Sequence, residues 1–502
     1  MRYLWVMLGV FALGVVMPLT AQQEKPDKKI LEKLKQKVSL HFNETPLKDA
    51  FQMVGELTGV KIVFDEKSEK ICKESTITVR VQDIPLKDAL SVMVTASPEL
   101  KWKIKGGAIL ITTEEEEPAK SDISVADCIN EFGVALYKTL IAGENGNILF
   151  SPLSIEYALG MVYAGARGST KEQMRKALCF TLADEKLHQG FAELKKGVVT
   201  QKEGLSFFMA NALWGQKDYP FKKGFISLMQ KHYDAGLRFA DFKKEPATAR
   251  KSINDWVAKE TQDKIKELLP EGAVHRLTRL VLTNALFFKG LWKYKFKKEN
   301  TKKMEFHISA DKTVTVEMMQ MRAEGKKWEG IRYFKGQTVR ILELPYKGEQ
   351  FSFVIFLPRK VDGLAELERG LTIKKLNGWL SKLKQLGEWD LTNIYIPKFE
   401  LTWGTRSLKG HLQAMGMKEA FKETADLMGI SDVKPLFVED VFHKAYVRVD
   451  EEGTEAAAAT AVEEVWGSIP DFKADHPFLF MIYHRKSGAI LFIGRLVDPT
   501  AK

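Results

Sequence analysis

The ten residues EEGTEAAAAT, positions 451–460, decide how the carboxy-terminal half of this chain is read. They follow HKAYVRVD (443–450), where Tyr446 and Arg448 alternate with Val447 and Val449, a pattern that predicts a strand. Two continuations are open. Alanine has the best helix propensity, so a solvated helical turn is one. The other is an extended segment with Thr454, Ala456, Ala458 and Thr460 on one face and Glu455, Ala457, Ala459 and Ala461 on the other. Small side chains on both faces let such a segment slide between two existing strands, and Gly453 supplies a permissive hinge in front of it. Composition leaves the two near even.

At 502 residues the chain exceeds one ordinary core, so at least two domains are expected. With 45% hydrophobic and 28% charged residues it reads as globular rather than disordered or membrane-spanning. The net charge of +11 raises the question of an acidic partner. Lysines, however, lie on nearly every segment and are interleaved with Glu, the pattern of a solvated surface, and no nucleic-acid partner is expected. The opening MRYLWVMLGVFALGVVMPLTA, residues 1–21, has a basic start, an apolar run and small residues at its end. It is expected to be a signal peptide cleaved after Ala21, the alternative being an uncleaved anchor, for which the run is short. No transmembrane span is expected after cleavage. The three cysteines, Cys72, Cys128 and Cys179, are odd in number and far apart. They read as buried free thiols without metal-ligand spacing, so neither a metal nor another cofactor is expected.

Residues 22–37 form a lysine-rich stretch, apolar only at Ile30, Leu31 and Leu34, and are read as a basic linker. Beyond it PLKDA (46–50) recurs at 85–89. Each copy follows an alternating strand, Val38/Leu40/Phe42 or Ile77/Val79/Val81, and its proline opens a helix. A further strand follows each helix, Val60 to Phe64 in one copy and Trp102 to Ile104 in the other, the latter turned by Gly106-Gly107 into Ile109-Leu110-Ile111. Residues 38–113 are therefore expected to form a two-helix, mixed-sheet module built from a βαβ repeat. Its TPLKDA (45–50), ELTGV (56–60) and GGAILIT (106–112) elements resemble the short N-terminal domain of bacterial secretins and TonB-dependent receptors. That resemblance implies a protein-docking module of an exported bacterial protein, with an envelope protein as its partner. Residues 114–124, beginning with four glutamates and reaching Pro118, read as an acidic linker, and 125–502 as one body.

Enzyme signatures fail in this body. GMVYAGARGST (160–170) lacks the Lys-Ser/Thr of a phosphate loop, and neither G-x-S-x-G nor H-E-x-x-H occurs. Ser151, Ser154 and His443 could furnish a nucleophile and a base. A Ser-Pro helix start is not a strained elbow, and nothing announces an oxyanion hole, so no catalytic residue is expected.

The surroundings of 451–460 break the tie. FSPLSI (150–155) with Ala158-Leu159, Gly165-Ala166 and Gly168-Ser169-Thr170 comes first, then NDWV (254–257) with Thr261 and Lys264-Ile265. LTNALFFKGLW (282–292), Gly416-Met417, Ala425-Asp426, Gly429-Ile430-Ser431, HPFLF (476–480) and FIGR (492–495) follow. In this order, from about residue 125 to 500, they resemble the serpin family. The resemblance implies an α+β serpin fold of three β-sheets, eight to nine helices and an exposed reactive-centre loop. It implies that Glu451, Gly453, Thr454, Glu455, Ala456, Ala457, Ala458 and Ala459 form the hinge of that loop. It further implies that Ser151, Ser154, Asn284 and His443 form a hydrogen-bonded shutter beneath the sheet opening, with Trp292 at the breach where the loop enters.

Counting from Glu451 by the family's usual spacing places the scissile bond at Gly467-Ser468. The stretch from there to His476-Pro477 is one residue shorter than common patterns, which keeps Trp466-Gly467 open. The implied function is an exported, monomeric inhibitor that traps serine or cysteine endopeptidases as suicide substrates, in the periplasm or outside the cell. No Lys or Arg lies between Thr454 and Asp471, so a trypsin-like pocket finds no cation and elastase-like or chymotrypsin-like targets are favoured. The alternative is a non-inhibitory serpin-fold binding protein docked to envelope machinery by residues 38–113. Its hinge would be expected to carry bulky, charged or Pro residues, and 454–461 has no bulky residue or Pro and a single charge, Glu455.

Overall fold

The computed structural model describes residues 28–97, 99–105, 107–113, 123–202, 204–234, 236–323, 328–385, 393–451 and 471–501. The expected signal peptide 1–21, the first part of the basic linker and most of the acidic linker lie outside the described residues. The chain divides into two compact units, Met1–Ser121 and Asp122–Lys502.

In the first unit, alternation drives the strand Lys37–Pro46, which buries Val38, Leu40 and Phe42 and pairs antiparallel with Thr76–Pro85. Each strand ends in a proline, whose preset φ starts a helix, Leu47–Thr58 after one and Leu86–Met93 after the other. The offset between the two PLKDA copies recurs in the hydrogen bonding. Glu44 N–H donates to Thr78 Oγ1 (2.9 Å) and Asp83 N–H to Ser39 Oγ (3.0 Å). Leu47 N–H donates to Ser75 O (2.9 Å) and Leu86 N–H to Gln36 O (2.8 Å). Advancing one copy by the repeat exchanges the partners in each pair, so the two copies meet across an approximate twofold axis. Glu44 and Asp83 occupy the same place in the repeat, both with positive φ (46° and 54°), each at one of the two register shifts between the strands.

Two features depart from the expected two-helix module. The helix Lys28–Lys33 lies inside the stretch read as a linker, yet Ile30 and the adjacent Leu34 are buried in this unit's core. The helix Glu66–Glu74 was not foreseen because it buries only Ser68 and Cys72, too few apolar residues to show a helical period. Asp65 caps it by accepting from Ser68 N–H (2.8 Å). Ile62–Phe64, Ala108–Thr112 and Lys101–Lys105 complete the unit as a three-stranded mixed sheet.

The second unit carries nine α-helices and three sheets among its described residues. One sheet joins Arg332–Lys335, Val339–Pro345, Phe351–Pro358, Phe478–His484, Ile490–Leu496 and Ile148–Phe150 in that order. Phe351–Pro358, Phe478–His484 and Ile490–Leu496 are buried at every position, which is why their sequences run apolar without alternation. Another sheet orders Lys302–Ser309, Lys312–Arg322, Asn393–Pro397 and Phe472–Lys473. The main sheet runs Phe399–Ser407, Val441–Val449, Leu280–Gly290, Leu205–Gln216 and Thr200–Lys202, with Leu237–Ala240 also on Leu205–Gln216. The helix Pro152–Gly165 packs against Leu205–Gln216, Leu280–Gly290 and Ile490–Leu496. Nearly all of it is buried, so its sequence is apolar on every side rather than striped.

Candidate functional site

The middle of the main sheet contains an interrupted pairing. Leu280–Gly290 pairs antiparallel with Leu205–Gln216 along its whole length, as far as Gly290 opposite Leu205. Val441–Val449 likewise pairs with Phe399–Ser407 as far as Val449 opposite Phe399. Between these two ribbons the pairing is parallel and runs only from Leu282/Val441 to Phe287/Tyr446. The partnership therefore stops three residues short of both strand ends. Strand edges without a partner are templates for a further strand. The chain leaves Val449 at this end through Asp450 and Glu451, so a segment folding back from Glu451 would run antiparallel to both neighbours.

The two residues at the point of departure are pinned. Trp292 is buried, stacks on Tyr346 (centroids 4.6 Å apart, 9° between planes) and donates its indole N–H to Asp450 O (2.9 Å). Glu451, only 5% exposed, accepts from the Thr301 hydroxyl (2.9 Å) and pairs with Lys398 (3.2 Å). Burial alone would raise its pKa, but its own backbone amide, Thr301 and Lys398 hold it below the usual carboxylate range. Lys398 and Thr301 were not foreseen, since nothing in their local sequence links them to a glutamate so distant along the chain.

Below the opening, register aligns three polar residues on adjacent strands: Asn211 opposite Asn284, and Asn284 opposite His443. His443 is completely buried, and burial pushes its pKa down to about 3, so the ring is neutral. Its tautomer follows from its partners. Ser151 N–H donates to Nε2 (3.2 Å), which leaves Nδ1 as the protonated nitrogen, donating to Asn284 Oδ1. Ser151 also caps the helix Pro152–Gly165, its Oγ accepting from Ser154 N–H (3.1 Å). Ser154 Oγ–H donates to Asn211 Oδ1 (2.8 Å), and Asn211 Nδ2 returns a bond to Ser154 O (3.0 Å). The network thus ties the start of the buried helix to the three strands on which the junction depends. Asn211 is the member that sequence reading missed. The tripeptide Asn-Ala-Leu at 211–213, repeated at 284–286, is the signal that could have found it.

The structure thus brings Ser151, Ser154, Asn284 and His443 together and sets Trp292 at the departure of the segment. Glu451 lies at its base. Gly453, Thr454, Glu455, Ala456, Ala457, Ala458 and Ala459, and the candidate bonds at Trp466, Gly467 and Ser468, lie outside the described residues. The serine–histidine geometry does not suit nucleophilic chemistry: His443 Nε2 is occupied by a backbone N–H rather than by the Ser151 hydroxyl. Among the described residues no group of three or more His, Cys, Asp or Glu is arranged to hold a metal. All three thiols are free, and burial pushes Cys72 up to about 11 and Cys179 to about 12. Among the described residues no helix is long and apolar enough to cross a membrane.

Comparison with known proteins agrees with this architecture. The serpin (serine protease inhibitor) family profile matches residues 127–499. The leukocyte elastase inhibitor of Sus scrofa is 42% identical over 378 residues, covering 73% of this chain and 97% of that protein. The leukocyte elastase inhibitor of Homo sapiens is 41% identical over 364 residues, covering 70% and 93%. Among solved structures, uncleaved ovalbumin superposes with a TM-score of 0.67 at 31% identity, covering 75% of this chain and 100% of ovalbumin. Arabidopsis AtSerpin1 in its native stressed conformation superposes with a TM-score of 0.65 at 30% identity, covering 76% of this chain and 100% of that one. The profile match over residues 127–499 and relatives 41–42% identical over nearly their whole length show that this chain belongs to the serpin family.

Proposed function

We propose that this protein is an exported inhibitor of serine or cysteine endopeptidases that works as a suicide substrate. The observation that carries the reading is the parallel junction whose pairing ends at Phe287/Tyr446, at the end of the sheet where segment 452–470 begins. A protease attacks the segment at Gly467-Ser468, or at Trp466-Gly467, and forms an acyl-enzyme. The freed segment enters the junction as an added strand, and the released folding free energy carries the bound protease away before it deacylates. Trapping is a race between insertion and hydrolysis. Small residues at 454–461 favour insertion, because an unpaired charge at an inward position would cost several kcal/mol to bury.

Elastase-like or chymotrypsin-like targets fit the absence of Lys and Arg from 454–470. Two relatives that bear the name leukocyte elastase inhibitor support the first of these. The protein acts as a monomer in the periplasm or outside the cell, after removal of residues 1–21. Residues 38–113 serve as a docking module of the kind found at the N-terminus of secretins and TonB-dependent receptors, held to an envelope protein. The twofold βα repeat and the two-stranded sheet Lys37–Pro46/Thr76–Pro85 support a role in strand-edge docking.

The test is to mix the protein with pancreatic elastase and with chymotrypsin, run denaturing gels and weigh the released carboxy-terminal fragment. A band at the summed mass supports trapping, and the fragment mass gives the bond. The variant Thr454→Arg is expected to be cleaved without forming that band. Cleavage of the unmodified protein with neither a complex nor a gain in thermal stability would transfer the assignment to a serpin-fold binding protein.

A further inference from the structure

Two histidines that take no part in the sheet junction meet where two helices of the second unit pack together. His188 lies in the second turn of the helix Asp184–Val198, and His232 is the last residue of the helix Lys223–His232. Their ring centroids are 6.2 Å apart, and His188 is only 4% exposed. His188 Nδ1 shares a hydrogen bond with the hydroxyl of Tyr233 (2.6 Å), the buried residue that follows the second helix. Tyr233 has no room to retreat. Its ring meets that of Tyr157 (5.0 Å between centroids), and its hydroxyl stands against Gly160, where a Cβ would come within 2.8 Å of it.

The groups around this pair favour uncharged rings. On its own helix Asp184 faces His188, but that carboxylate already binds Lys171, Arg175 (2.6 Å) and the Tyr163 hydroxyl (2.8 Å). From the helix Pro152–Gly165 the facing side chain is the uncharged Tyr163, its ring 6.3 Å from His188. Asp234, just beyond Tyr233, pairs with Lys195 (2.9 Å). Burial, with His232 and Lys171 adding to it and Asp184 opposing it, pushes His188 from 6.5 down to about 4. Burial and Lys231 lower His232 as well, against Glu185. The folded values are depressed, so the contact is at full strength above 6.5 and weakens as pH falls toward 4.

Each helix leads into an outer strand of the main sheet, Asp184–Val198 into Thr200–Lys202 and Lys223–His232 into Leu237–Ala240. Both strands pair with Leu205–Gln216. We propose that His188 and His232 form an acid-released joint: proton uptake by the pair parts the two helices and loosens the outer strands that follow them. A protonated His188 would be a cation with no free carboxylate beside it and a second imidazole, itself able to charge, 6.2 Å away. Once the helices separate, both rings take up protons in water at no such cost, so acid favours the open form.

Hydrogen exchange of the full chain at pH 7.5 and 5.0, read by mass spectrometry of its peptides and corrected for intrinsic rates, tests the joint. Between these pH values, protection of the two helices and of the strands they lead into is expected to fall by about tenfold or more. The helix Ile373–Gln385, on a different part of the unit, is expected to change by less than about threefold. Glutamine can still bond the Tyr233 hydroxyl but carries no proton equilibrium, so His188→Gln should cut the fall at the joint to less than about threefold. His232→Gln removes the second imidazole and should make the fall smaller than in the unmodified chain, and it carries the test if His188→Gln does not fold. No fall in the unmodified chain, an equal fall in Ile373–Gln385, or an undiminished fall in either variant overturns the joint. The readout needs no protease, so it is independent of the proposed inhibition.

Discussion

Replacing His443 by glutamine separates hydrogen bonding at the sheet junction from titration. Glutamine can offer an amide N–H to Asn284 Oδ1 and a carbonyl to Ser151 N–H, the two roles the imidazole now fills. It carries no proton equilibrium. Burial lowers His443 from the ordinary value of 6.5 to about 3. At 1.36 kcal/mol per unit, that difference corresponds to roughly 5 kcal/mol. The folded pKa is depressed, so the unfolded chain binds the proton first. The contribution is fully present above the unfolded value of 6.5 and is lost as pH falls from there toward 3. About two units below 6.5, near pH 4.5, the native protein should have lost about 3 kcal/mol through this residue alone.

Urea unfolding midpoints at pH 8, 6.5, 5.5 and 4.5, read by near-ultraviolet circular dichroism, measure it. Near pH 8 the variant is expected within about 1 kcal/mol of the native protein, and its advantage should grow steadily as pH falls. His188, which burial lowers to about 4, titrates in both proteins and cancels in the difference. A gap between the two proteins that stays constant from pH 8 to 4.5 would refute the reasoning, because it would mean that His443 is not held neutral by the junction.

Three further substitutions probe other parts of the structure. Asn211→Ala removes two bonds to Ser154 and leaves its buried carbonyl without that donor, so a loss of about 2–4 kcal/mol in denaturant stability is expected, and a neutral result would remove Asn211 from the network. Glu156 is completely buried with neither carboxyl oxygen hydrogen-bonded, and Glu156→Met is expected to stabilise the protein by about 1–3 kcal/mol. Burial, with Cys128 and Glu131 adding to it, raises the Glu156 pKa well above 4.5. Its favourable contribution is therefore present below the unfolded value and lost as pH rises, so the gain from methionine should widen between pH 5 and 9, and a flat difference would contradict this. Glu451→Gln keeps the Thr301 contact but loses the Lys398 ion pair. A cost of about 1 kcal/mol, shrinking in high salt, is expected in urea unfolding, and salt-independence would count against the ion pair.

Much of the architecture is legible from local chemistry. The PLKDA repeat marks a proline at each strand-to-helix change, and alternation at Val38, Leu40 and Phe42 marks a half-buried strand, because proline geometry and the two-residue pleat act within a few residues. Glu66–Glu74 escaped for the converse reason: a helix that buries only two residues has no apolar stripe to read. Of the candidate site, Ser151, Ser154, Asn284, Trp292 and His443 could be named from the linear order of motifs, and Asn211, Thr301 and Lys398 could not.

What the residue order determines is therefore the βα repeat of 38–113, the small side chains of 454–461 and the polar residues Ser151, Ser154, Asn284 and His443. What only the assembled sheet decides is where the pairing of Leu280–Gly290 with Val441–Val449 stops and which nitrogen of His443 carries its proton. It likewise decides which cation, far along the chain, meets Glu451. Each depends on contacts between segments roughly 50 to 300 residues apart. Their register is set by packing of the whole core, which no local preference encodes.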